Sequence, residues 1–222
     1  MTGQEFYNLI MSRLGKRSST ELRNIVLQET AEAVKSLSRA SWAPWFLFTD
    51  SDVGTTSGVS RIDTGLEILN LEDEYPFLRW IPATEYGVSP EEWRLLVRKE
   101  AFRLQSADPL DAEPEFWARA PGLVSFKVDL YPTPDVDGYL RIQAYTEHSA
   151  PPDSPDPSTN VWLIHAARWL VAEVCAVVAA QHLQNTNLSQ GFQLEEQRER
   201  ESHWRKSHAL RNAQQEYVKG ED

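Results

Sequence analysis

The chain has 222 residues, with 33 Asp and Glu against 22 Lys and Arg, for a formal net charge of −11. That length can bury a real core in one large domain or two small ones. The single cysteine, Cys175, excludes a disulfide framework and a cysteine-based zinc site. The acid excess is local: residues 50–160 carry 21 acids and 9 Lys or Arg, and the remainder is close to neutral. A middle region of that sign repels phosphate and disfavours tight non-specific nucleic-acid binding.

The first 17 residues lack the apolar core and cleavage pattern of a secretory signal, so the protein is expected in a cytoplasm or in a particle assembled there. Thr2 and Glu5 have capping-box spacing, and Phe6, Leu9, Ile10 and Leu14 then repeat at helical intervals until Gly15. Ser18 and Glu21 repeat the box before a stripe of Leu22, Ile25, Val26, Ala33, Val34 and Leu37, in a helix ending near Ser41. In the run from Trp42 to Phe48, Pro44 forbids continuation of that helix and predicts extended neighbours, and the aromatic cluster reads as a core plug.

Residues 53–62, rich in Gly, Ser and Thr, predict strand–turn–strand, and 66–80 predict short extended pieces with a helical turn. Ser89-Pro90-Glu91-Glu92 reads as a helix start, with Trp93, Leu96, Val97, Ala101 and Leu104 as its apolar face. An acidic, Pro-containing loop follows over 108–120. Val124, Phe126, Val128 and Leu130 then alternate with polar residues, as do Leu140, Ile142 and Ala144. These two runs predict a half-buried hairpin around the Pro-stiffened turn Pro132–Gly138.

Residues 150–157 predict a Pro/Asp linker into the longest apolar segment, Ser158–Asn187. Thr159 or Asn160 can cap that helix, and Asn185 or Asn187 offers a left-handed exit. His165, Arg168, Glu173, Gln181 and His182 interrupt it, and a charge at the centre of a bilayer costs about 3 kcal/mol. It therefore reads as a central helix and not a membrane span. From Phe192 to Tyr217 the chain favours helix but scatters Phe192, Leu194, Trp204, Leu210 and Tyr217 among charges, so a partner is expected to cover it.

No catalytic signature emerges. Gly15-Lys16 is followed by Arg17 where a phosphate loop needs Ser or Thr. Asp135-Val-Asp137-Gly138 places Tyr139 and Thr146 where a calcium loop needs ligands. The five His are scattered, and Glu91, Glu92, Asp108, Asp111, Glu113 and Glu115 read as a helix cap and a solvated loop. No metal or cofactor is expected. A hydrolase using the acidic loop 108–115 is the enzymatic alternative, and a helical interaction module is another.

Together these residues predict an α+β chain, mainly α. Residues 1–48 and 158–187 form a helical bundle core, 49–157 an acidic β-hairpin-containing insertion, and 188–222 a long charged C-terminal helix. The order of features resembles the head-to-tail adaptor (head completion) proteins of tailed bacteriophages, with the best likeness at Ala43–Leu47, Phe126–Asp135 and Asn160–Ala180. The resemblance implies a structural protein of the virion neck, assembled in the host cytoplasm as a ring, of twelve copies, beneath the portal. DNA would pass through its channel without sequence-specific binding, and no membrane is involved. It implies portal contact through the C-terminal helix, with Phe192, Arg198, Trp204, Arg205, Leu210 and Tyr217 as the contact residues. The β part, with Phe126, Tyr131, Pro132, Pro134 and Asp135, would face the downstream neck or tail protein. A stopper or tail terminator is the nearest alternative.

Overall fold

The computed structural model describes residues 1–15, 19–39, 42–69, 76–89, 92–99, 112–120 and 125–219, with side chains described up to residue 210. The chain is α+β and divides into two compact units. One comprises Met1–Leu47 with Glu147–Asp222, and the other Phe48–Thr146.

The first unit is helical. Helix α1, Gly3–Arg13, carries the expected capping box: Thr2 accepts from the Glu5 amide, and Glu5 accepts from the Thr2 amide. Helix α2, Thr20–Ser38, is capped by Ser19, one residue later than the spacing suggests, because Ser19 Oγ accepts from the Leu22 amide. The Pro/Asp segment before the central helix is not a free linker. Tyr7 donates its hydroxyl to the Pro151 carbonyl at 2.8 Å, the Gln4 amide reaches Ser154, and Arg23 pairs with Asp153 at 2.7 Å. A Cβ at Gly3 would stand 1.7 Å from the Pro152 carbonyl oxygen, so only glycine allows this approach.

The apolar segment forms two helices, α3 (Val161–His165) and α4 (Ala167–Gln181), in place of the single expected one. Asn160 caps α3 as expected, accepting from the Trp162 amide. Ala166 then leaves helical geometry at φ −136°, which separates the two. The middle of α4 is buried on most sides, from Trp169 to Ala179, while Arg168, Ala180 and Gln181 at its ends are exposed. Gln184 takes the left-handed exit at φ 50°. Asn185 does not, because its side chain accepts from the Leu188 amide and caps the next helix, α5, Thr186–Lys219. Among the described residues, no helix is long and apolar enough to cross a membrane.

The second unit is a pair of four-stranded sheets. Its strands are β1 (Phe48–Thr55), β2 (Arg61–Asp63), β3 (Phe77–Pro82), β4 (Arg94–Leu95), β5 (Val97–Arg98), β6 (Phe116–Ala120), β7 (Lys127–Tyr131) and β8 (Gly138–Tyr145). They are ordered β1-β8-β3-β4 and β2-β7-β6-β5. The expected hairpin does not form, because β7 pairs with β2 and β6 while β8 pairs with β1 and β3. The alternating residues from Phe126 to Leu130 and from Leu140 to Ala144 still face one core, and Val124 lies outside the described residues. Trp80, Trp117, Phe126, Val128, Leu130, Leu140 and Ile142 all belong to it. Period-2 alternation specifies which face is buried and is silent about which strand lies alongside.

Two further expectations are overturned here. Residues 94–95 and 97–98 lie in strands, not in a helix begun at Ser89: Leu96 donates to Leu78, and Val97 to Glu115. These ladder bonds outweigh a local helix preference worth only tenths of a kcal/mol per residue. The segment 116–120, expected as loop, is strand β6, with Trp117, Ala118 and Ala120 buried. Residues 100–111 lie outside the described residues, as do Pro90, Glu91 and Lys16–Ser18.

Candidate functional site: the long C-terminal helix

Helix α5 does have a buried stripe, contrary to the reading that it lacks one. Ser189, Phe192, Glu196, His203 and Ser207 are all buried and recur at helical spacing. Four of the five are polar, which is why an apolar-periodicity reading passes over them. Ser189, Glu196 and Ser207 each make specific side-chain hydrogen bonds. Ser189 Oγ donates to the Ala176 carbonyl at 3.0 Å, tying α5 to α4. Glu196 accepts from Trp169 Nε1 at 3.0 Å and from Arg200 at 2.7 Å. Ser207 Oγ accepts from the Trp45 amide at 3.0 Å and donates to the His203 carbonyl. Buried polar groups held this way cost little to bury and fix the rotation of the helix about its axis.

At the centre of this contact is an aromatic cluster drawn from three segments. Trp169 stacks on Trp42 on one side and on His203 on the other, with centroids at 5.6 and 5.1 Å. Phe46 meets Trp162 and His203 edge-on and stacks with His165 at 5.7 Å. Burial, then the positive charges of Lys206 and His165, push the His203 imidazole down to about 4, so it is neutral at physiological pH. The Glu173 carboxyl is pushed up by burial and by the neighbouring Glu196 charge. Arg13 adds an ion pair with Glu195 at 2.8 Å between α1 and α5.

The opposite face of α5 and its far end are open. Leu194, Trp204 and Leu210 are 60%, 44% and 46% exposed. Leu210 follows Ser207 by three residues and so continues the buried stripe beyond the cover that the chain itself supplies. Arg198 is exposed, and Arg205 is bound to Glu201 on its own helix at 2.6 Å. Phe192 is an inward anchor, and the Tyr217 side chain lies outside the described residues. The six C-terminal residues singled out from sequence thus separate into one packing residue and a set of outward or terminal ones. No protein-family model matches this chain, and no curated protein matches it either.

The β residues singled out with them also take different places. Phe126 is a core residue, edge-on to Trp117 at 6.0 Å. Tyr131 ends β7 opposite Phe116 and is followed by a cis peptide bond to Pro132. The Pro134 and Asp135 carbonyls accept from Gly58 and Ser57 at 2.8 Å, and Asp137 Oδ1 accepts from the Ser57 amide. The 132–137 segment therefore buttresses the turn between β1 and β2. It returns β7 to the other sheet and does not close a hairpin.

Chemically reactive groups are sparse on the described surface. Burial pushes the Cys175 thiol up to about 12, which keeps it a thiol at neutral pH. Among the described residues, no three His, Cys, Asp or Glu side chains gather as metal ligands would. Of the acidic loop 108–115, only residues 112–115 are described, and there Glu113 forms an ion pair with Arg94.

Proposed function

We propose that this protein is a structural adaptor of a phage neck, forming a ring beneath the portal that continues the DNA channel towards the tail. The observation that carries the reading is the open end of α5. The helix is anchored on its own chain through Ser207 and then runs on to Lys219 with Leu210 and Trp204 exposed. A 34-residue helix secured over its first two-thirds is a rigid arm, and exposed Trp with Leu is the kind of apolar anchor that carries interface energy. The bundle core, the ring of twelve and the portal as the arm's receptor come from the sequence resemblance. An acidic β unit suits a channel wall that must not grip passing DNA.

The test is co-purification with the portal protein encoded nearby. Trp204→Ala combined with Leu210→Ala should weaken portal attachment by about tenfold or more, the loss expected for removing apolar anchors from an interface. Thermal unfolding should be close to wild type, because both side chains are exposed. Undiminished attachment removes α5 from the portal contact. A second reading is another neck component, a stopper or tail terminator. Like the adaptor, it would use the ring logic of a neck, and the two four-stranded sheets offer it a second surface for a neighbour.

A further inference from the structure

Several arginines of the β unit are paired with carboxylates. Arg61 forks onto Asp129, Arg94 reaches Glu113, and Arg141 forks onto Asp52 at 2.8 and 2.9 Å while lying over the Trp93 ring. Arg98 and Arg119 differ. Neither has a carboxylate partner among the described residues, and both line one pocket with Leu69, Pro76, Trp117 and Phe126. Strand pairing puts them there: Arg98 lies beside Trp117 in the parallel β5–β6 ladder, and Arg119 lies opposite Val128, on the core-facing side of β6.

Each guanidinium sits near a buried ring. Arg98 Cζ is 5.6 Å from the Trp117 centroid, and Arg119 Cζ is 5.9 Å from that of Phe126. A guanidinium held over a ring keeps its N–H donors in its own plane, where they are free to grip an oxyanion. The free space is about 10 Å³, room for a group the size of one water. A nucleobase or a sugar does not fit, but the tip of a carboxylate does. The acid excess over residues 50–160 also opposes a polyanion more strongly than a single charge.

We propose that the Arg98–Arg119 pocket captures a single carboxylate side chain presented by an acidic segment of a partner protein. This site goes beyond the neck reading and does not depend on which surface meets the portal. Two guanidiniums lining one pocket offer a carboxylate more hydrogen-bond donors than a single surface ion pair.

The test is a nuclear magnetic resonance titration of the full chain, read at the Trp117 indole N–H, with a synthetic peptide carrying a Glu-Asp pair. The expected result is a saturable shift that weakens as salt is added. In R98Q/R119Q the affinity should fall by about tenfold or more, as for loss of one charge-assisted hydrogen bond. R98K/R119K keeps the charges without the fork and should lie between the two. Single R98Q and R119Q variants, each expected to weaken the peptide, serve if the double variant loses its dispersed spectrum. A peptide response unchanged in these variants overturns the proposal. So does tighter binding of inorganic phosphate or of a short single-stranded oligonucleotide.

Discussion

His203 lies flat on Trp169 with Phe46 across its edge, in a site where a charged imidazole is disfavoured. An unfolded histidine takes up its proton near pH 6.5, whereas this one does so only near 4. Between those values the unfolded chain binds a proton that the folded chain does not, so stability must fall as the pH drops through that window. The loss is roughly 3 kcal/mol at its full extent. Glu173 acts in the opposite sense, since its raised carboxyl takes up a proton more readily when folded. Comparison with His203→Phe isolates the histidine. That variant keeps the stack on Trp169, and its urea midpoint should lose much less between pH 6.5 and 4 than wild type. Parallel pH profiles for the two proteins would show that the imidazole is not the group responsible. Sequence showed five scattered histidines and gave no reason to single out this one. Its role comes from Trp42, Phe46 and Trp169, which are distant in the chain and adjacent in space.

Individual helices and strands were readable wherever their signal was local. The Thr2–Glu5 box, the all-round apolar α4 and the alternation of β7 and β8 each follow from residues a few positions apart. Three things were not local. The break at Ala166 interrupts a run of good helix formers, the strands at 94–98 are held by partners in β3 and β6, and the stripe of α5 is built from Ser, Glu and His. The pairing of β8 belongs to the same group, and Gly138 shows what fixes its start. A Cβ there would stand 2.6 Å from the Ile81 carbonyl oxygen and 2.7 Å from the Trp80 ring. Gly138 begins β8 opposite Pro82 and Thr55, where Trp80 donates its indole N–H to Thr55 at 3.1 Å. Gly138→Ala should therefore cost about 2 kcal/mol, the usual range for overpacking a core. Denaturant unfolding measures this, and a loss under a few tenths would mean that the β3–β8 contact yields easily.

For the molecule as a whole, the α+β class was readable, while the β part proved larger than its sequence signal. A hairpin needs only two alternating runs, whereas β2, β4 and β5 are two or three residues each and leave almost no pattern. The candidate site was readable in part. Trp204 and Leu210 are exposed, Phe192 is buried, and the packing of α5 through Ser, Glu and His leaves no apolar period to read. That support changes the physical account of the helix. A stripe-poor helix would fray without a partner, but α5 is held through Ser207 within its own chain, so the proposed association would carry a lower ordering cost. The proposed contact of this end with a portal ring is open to electron microscopy of the chain co-expressed with a candidate portal protein. The expected result is a second ring stacked beneath the portal, of matching symmetry, with α5 reaching into it. A chain that stays unattached, or that attaches with α5 directed away from the portal, would contradict it.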